Sequence, residues 1–480
     1  MKRNKIIFIV AVSMFLGVSC KKLLTVPETD LIAGETALST VTFAEQSVIG
    51  IYQAMNVEMN ILLNAVFADE VAKSEFYNAV TTHEWQYGPG DVGLRDSYTG
   101  IAWQYRIINR ANVVLTALPN SDSTKVGDEV KRVRLKGEAI FLRAYAHFEA
   151  FRYYCNNYDP TGLAMPYMEI STLDPVPRIK MDVFFQKLNA DLVAAKALLP
   201  NNLSDISRVN VATVSALQAR VALYMRDWAN AETFATEYIN AVPLATIATF
   251  PGIWTDANSA EQAFRLVRTA SIGGRIGSLF RGTSTAATAM GIGTVTWKPS
   301  EKLWSSYDAI NDVRFASYLK NEPILSGGGR PSRLIQKYAG SGYATTNENV
   351  ANGKPFRTGE MYLIRAEARA ELNKFTGANS AETDINTLRT NRITGYVNVT
   401  FATKQEAIDA IMLERFKELP YEGHRFFDLR RRGLPVTRLA ADAPSAVGTT
   451  LPAGNFRFVL PIPLPEITTN PVMVQNPGYQ

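Results

Sequence analysis

Histidine and cysteine are almost missing from this chain, at 3 and 2 of its 480 residues. So few soft ligands argue against a zinc centre built by the protein, which needs three or four of them converging. His83-Glu84 opens a pattern like that of zinc proteases, but Tyr87 stands where the second histidine would have to be. His147 lies among aromatics in a helical stretch and reads as a packed core residue. Carboxylates and carbonyls leave a structural calcium or magnesium ion open; no other cofactor is expected. A nucleophile elbow, a Walker loop and a dinucleotide fingerprint are also missing. Gly88-Pro89-Gly90 and Gly327 to Gly329 lack the strand-loop-helix setting that phosphate binding requires. No lysine/arginine cluster is interleaved with aromatics, and the one dense run, Arg430 to Arg432, is short. Nucleic acid is therefore not an expected partner.

Long hydrophobic runs are lacking too. The apolar stretch from Ile6 to Leu16 follows Lys2, Arg3 and Lys5 and is too short to span a bilayer. It reads as an export signal over residues 1–19. Gly17-Val18-Ser19-Cys20 then resembles the lipobox of bacterial lipoproteins, although Leu16 stands one step earlier than the usual leucine. A lipidated Cys20 leaves Cys155 as the only thiol, so no disulfide framework is available and the core must hold the fold. Removing the three signal cations takes the formal charge from +5 to +2. Residues 20–40 read as a tether; Lys21 to Gly34 alone, at ~3.3 Å per residue, would reach roughly 45 Å from the membrane.

What is abundant is helical pattern. From Asp128 to Tyr154 apolar and small residues recur three and four apart, among them Val130, Val133, Ile140, Ala144 and Phe148, with Lys131, Arg132, Arg134 and Lys136 on another face. One long helix is predicted, ending before Asn156 to Pro160. Two helix pairs follow. Val214 to Tyr224 and Ala229 to Ile239 flank a tight turn at Arg226-Asp227-Trp228, with Ala219, Ala222, Ala231 and Ala235 letting the backbones approach. Thr358 to Leu372 and Ala381 to Arg392 flank a second turn. Both are similar to tetratricopeptide units, or read as generic antiparallel helix hairpins. Between the pairs, Ala241 to Gly342 is rich in Gly, Ser, Thr and Ala and predicts irregular structure with short strands. The expected fold is mainly α: a tetratricopeptide-like scaffold with long irregular loops and a few short strands. Its helical N-terminal region runs over 41–240, and its C-terminal region over 241–480, with the loop-rich stretch at 241–342.

Glu414, Glu418 and Glu422 stand four apart near Arg415, Arg425 and Arg430. On a helix this spacing makes one stripe that arginines can bridge, a packing device. Glycosidase chemistry instead needs two carboxyls facing each other across a substrate. Ligand capture calls for an exposed aromatic plane beside amide or charged groups. Trp85 and Tyr87 fit best, in a polar Gly/Pro-containing loop with Asn78, His83 and Asp91 close in sequence; Trp254 and Trp297 are second choices. Trp103, Trp228 and Trp304 are expected in the core.

The stretch from Glu414 through Leu419-Pro420-Tyr421-Glu422-Gly423-His424-Arg425-Phe426-Phe427-Asp428 to Gly433 resembles the signature of the SusD/RagB family of outer-membrane lipoproteins. Leu460-Pro461-Ile462-Pro463 and Gln475-Asn476-Pro477-Gly478-Tyr479 are similar to that family's ending. Further matches are Trp103 to Asn112, Arg143-Ala144-Tyr145, Gly359 to Ala368, and Pro299-Ser300 with Asp312 and Arg314. The resemblance implies a non-catalytic, lipid-anchored protein on the surface of the outer membrane. Such a protein binds oligosaccharide and passes it to a SusC-like TonB-dependent transporter. Lys21-Lys22 departs from the acidic residues that often follow the lipidated cysteine. Peptide cargo on the same fold and a secreted glycoside hydrolase are the alternatives.

Overall fold

Many helices of the computed structural model, which describes residues 38–98, 101–271 and 274–479, begin at a side chain that caps them. The signal, Cys20 and all but the end of the tether lie outside the described residues. In chain order the helices are α1 (Val41–Ala54), α2 (Val57–Phe67), α3 (Val80–His83), α4 (Ile101–Ala117), α5 (Asp128–Tyr154), α6 (Met181–Leu198), α7 (Val211–Met225), α8 (Trp228–Ala241) and α9 (Phe250–Trp254). Then come α10 (Glu301–Trp304), α11 (Val313–Tyr318), α12 (Pro323–Ser326), α13 (Thr358–Glu371), α14 (Ala381–Thr390), α15 (Lys404–Glu418), α16 (Arg425–Arg431) and α17 (Leu464–Thr469). Thr40, Asn56, Asn210, Asp227 and Ser380 accept the backbone N–H three residues on. Thr403 and Glu406 form a reciprocal capping box at α15. Each such cap stabilises its helix by ~1 kcal/mol.

The helices stack in a relay. α4 lies on α5, α5 on α6, α7 on α8, α8 on α13, and α13 on α14 and α15. Ala219, Ala222, Ala231 and Ala235 are buried between α7 and α8, where small side chains permit close approach. The long helix keeps its predicted bounds, Asp128–Tyr154. Its C-terminal half is buried on all sides, because α1, α4 and α6 pack around it. One hydrophobic cluster runs from Val41 to Tyr479 and joins both halves of the chain, and a smaller one fills α13, α14 and α15.

The central region is irregular, as its composition predicts, and carries β4 (Trp297–Pro299), β5 (Leu319–Asn321) and β6 (Arg333–Ile335). β4 pairs antiparallel with β1 (Val71–Lys73), Lys73 opposite Trp297 and Val71 opposite Pro299; β5 pairs with β6. Two further short pairs are β2 (Leu163–Ala164) with β3 (Ile179–Lys180) and β7 (Val436–Thr437) with β8 (Thr450–Leu451).

The glutamates at 414, 418 and 422 belong to a buried charge lattice. Glu418 accepts from Arg314 (3.2 Å), Arg357 (3.0 Å) and Arg392 (3.0 Å). Glu261 accepts from Arg357 (2.8 Å) and Arg392 (2.6 Å), and Glu422 from Arg357 and Lys337 (both 2.7 Å). Glu414 accepts from Arg314 (2.5 Å) and Arg389 (2.6 Å), and Asp312 binds Arg314 through both its oxygens. Burial would raise the Glu414 and Glu418 carboxyls, but the guanidinium groups override it: Glu414 falls to about 2 and Glu418 lies far below the usual range. The packing role expected of the stripe holds, with two corrections. Glu422 lies beyond the end of α15, and the bridging arginines come mostly from α11, α13 and the end of α14, not from the signature. Within the signature, Arg415 pairs with Asp428 and Arg425 with Asp69. Two glycines make this geometry possible. A Cβ on Gly359 would lie 2.5 Å from the Glu418 carboxylate, and one on Gly423 (φ +83°) would lie 2.6 Å from the Asn60 amide.

Candidate ligand-docking site

The chain leaves β1 at Lys73 and crosses the surface to α4 through Ser74 to Tyr98, and its first part is locked at several points. Glu75 receives the Val295 N–H at 2.6 Å and a two-pronged contact from Arg330, whose guanidinium also reaches the carbonyls of Ile292 and Gly293. Lys73 donates to the Pro444 carbonyl at 3.0 Å. Arg438 acts as a peg beneath, donating to the carbonyls of Val66, Ala68, His83 and Gly448. Buried with no carboxylate bonded to it, the Arg438 guanidinium drops to about 9.

The structure reverses most of the sequence-based assignments within this segment. Trp85 is only 3% exposed; a positive φ of 55° turns it inward. Its Nε1 donates to the Phe67 carbonyl at 2.9 Å, and Arg438 lies 4.2 Å over its ring. Tyr87 is 2% exposed, stacked on Phe67 (5.1 Å), with its hydroxyl on the Arg457 carbonyl. His83 is fully buried against Trp297 (5.0 Å), and burial holds its imidazole well below the usual value, so it is neutral. Asp91 caps the turn ahead of α4 by accepting the Leu94 N–H at 2.7 Å. Trp254 packs on Tyr318 and Lys337, and Trp297 on Tyr77 and His83; both are buried. The reason is common to all of these: a large ring gains more from burial than any other side chain, at ~25 cal/mol per Å² of apolar area.

The tryptophans expected inside, Trp103, Trp228 and Trp304, are half-buried and pack against the edge of the core. Arg106 lies 4.6 Å over Trp103 and Arg333 4.5 Å over Trp304.

Of the predicted set, Asn78 alone faces solvent freely. Beside it stand two residues that sequence reasoning passes over. Phe76 is 66% exposed. Tyr77 is half-buried, edge-on to Trp297 (6.0 Å) and His83 (5.7 Å), with Lys73 5.8 Å over its ring. Its hydroxyl and Ser74 Oγ are buried and have no hydrogen-bond partner among the described residues. Val80, 43% exposed, continues the apolar strip. The signal available in the sequence is the placement of an aromatic pair inside a polar run, Ser74-Glu75 before it and Asn78 after. An apolar ring and a carboxamide on a locked support offer the C–H-binding plane and a directional polar group that a sugar needs.

Nothing in this site resembles a metal centre. Among the described residues no three His, Cys, Asp or Glu side chains converge as cation ligands. No described helix is long and apolar enough to cross a membrane. Cys155, the described cysteine, is buried and free.

Comparison with known proteins adds to this picture. A family profile described as "SusD family" matches residues 325–479, and one described as "Starch-binding associating with outer membrane" matches 26–223. The chain is similar to SusD-like protein P2 of Formosa agariphila, 26% identical over the full length of both. Among solved structures it is similar to a SusD superfamily protein from Bacteroides vulgatus (TM-score 0.77, 24% identity, covering 92% of this chain and 99% of that one). It is also similar to surface glycan-binding protein A of Bacteroides thetaiotaomicron in complex with laminarihexaose (TM-score 0.69, 18% identity, 91% and 99% covered). At these identities the structural likeness concerns the fold.

Proposed function

Because the chain belongs to the SusD/RagB family, whose members are binding proteins and not enzymes, we propose that it captures oligosaccharide at the outer-membrane surface. The ligand is then handed to a TonB-dependent transporter. Acylation of Cys20 holds the protein at the membrane, and the tether after it gives reach. The observation that carries the reading is the exposed Phe76 ring beside the exposed Asn78 amide, on a segment fixed to the scaffold by Glu75 and Lys73. The relative solved with laminarihexaose supports a glycan as the class of ligand.

Affinity electrophoresis of the full chain through gels containing laminarin, starch or other polysaccharides tests this. Retention in at least one gel, with no reducing ends released, is the expected result. Failure in every gel, together with calorimetric binding of peptides, would move the assignment to peptide cargo; release of reducing ends would move it to an enzyme.

A further inference from the structure

Where the α7–α8 turn meets α16, two arginines have no carboxylate partner among the described residues. Arg226 occupies the turn with φ +60°; its side chain is exposed and reaches only the Arg431 carbonyl, at 3.4 Å. Arg430 is buried on α16. It donates from Nη1 to the Phe458 carbonyl at 3.2 Å, and its buried Nε has no hydrogen-bond partner. Burial without a carboxylate lowers it to about 10. Its neighbours are different. Arg431 is paired with Asp428 (2.7 Å) and with Glu367, and Arg432 with Glu371 (2.6 Å).

Arg226, Arg431, Arg432, Glu371 and the half-buried Trp228 ring line a cleft of ≈320 Å³. An adjoining recess of ≈10 Å³, room for about one water-sized sphere, shares Arg226, Trp228, Arg431 and Arg432 with the cleft and is lined also by Arg430, Asn157 and Tyr158. The acidic groups nearby are already engaged: Glu371 by Arg432 and Lys404, and Asp227 as the cap of α8. Trp228 is the first residue of α8, whose N-terminal end carries positive partial charge.

We propose that this cleft binds an oxyanion, a carboxylate or sulfate group, with Arg226 as the free cation at its mouth and Arg430 as the buried donor within. A buried guanidinium N–H without an acceptor is costly, and an anionic oxygen supplies that acceptor through a charge-assisted bond. Trp228 provides a plane for an apolar body attached to the anion, as in an acidic sugar. The site shares no residue with the Phe76–Asn78 face, so either can fail without the other.

The test follows the thermal midpoint and tryptophan fluorescence of the full chain during titration with potassium sulfate, sodium glucuronate or glucose, with ionic strength held constant by chloride. Arg226→Asn is the decisive variant, since asparagine tolerates the positive φ and removes the guanidinium. Sulfate and glucuronate should each produce a saturable shift in the unaltered protein, weakened about tenfold or more in Arg226→Asn, while glucose does nothing. A response to glucuronate assigns a sugar-borne acid; a response to sulfate alone assigns a compact anion. Shifts of equal size in the protein and in Arg226→Asn, or none beyond chloride, would overturn the proposal. Arg430→Gln, if it folds, should lose the response as well.

Discussion

Around Glu418, the guanidinium groups of Arg314, Arg357 and Arg392 reach carboxylates and the side chains are fully covered. Along Ser74 to Val80, a phenylalanine ring and an asparagine amide stand in solvent. The lattice carries the family signature yet offers nothing to a ligand, because its hydrogen-bonding capacity is spent internally. The loop carries no signature and has capacity to spare. Residues that carry a family signature can thus be those that build its support.

The contrast can be broken most forcefully from the lattice side. Glu418→Ala should cost about 3–5 kcal/mol by removing the carboxylate that Arg314, Arg357 and Arg392 share in the interior, read by urea denaturation or as loss of soluble protein. If stability hardly changed, the lattice would not be the support described. Next in size is the loop. Phe76→Ala combined with Asn78→Ala should weaken glycan binding by about 10- to 100-fold and leave the melting temperature nearly unchanged, because both side chains are exposed.

Acid sharpens the comparison further. Glu414 has a folded value of about 2 against an ordinary 4.5. Its contribution is complete above pH 4.5 and is lost as pH falls towards 2, so the lattice should fail in acid. Glu70 behaves in the opposite sense. Burial, with the Asp69 charge, lifts it to about 8 although the Tyr421 N–H opposes the rise. It favours folding below pH 4.5, and that advantage disappears as pH rises through 8. Glu70→Gln should therefore raise stability by about 1–2 kcal/mol at pH 8 and change little at pH 4, measured by paired denaturation curves. Smallest of all is the expected effect of Trp85→Phe on affinity: none per folded molecule, with a modest stability loss from the missing bond to Phe67. A large affinity loss there would restore Trp85 to the site.

Helical periodicity made α5 legible to its end residues, and paired small residues revealed α7 and α8, because these patterns are local. Reading Glu414 and Glu418 as packing groups also followed from spacing alone. What spacing could not supply were their partners, since Arg314 and Arg357 lie about 100 and 60 positions away in the chain and only the fold brings them together. The site was half legible. Composition pointed to the loop after β1, but not to which rings face outward. That choice turns on the positive φ of Trp85 and on the Arg438 peg, neither of which has a local signature. Tryptophan count was a poor guide, for the rings at 85, 254 and 297 are inside and those at 103, 228 and 304 reach the surface.

The most direct test of the account is a structure of the full chain bound to an oligosaccharide that its parent polysaccharide has shown to be retained. The prediction is a sugar ring laid on Phe76, with hydroxyls bonded to the Asn78 amide. A glycan seated elsewhere, touching neither residue, would contradict it.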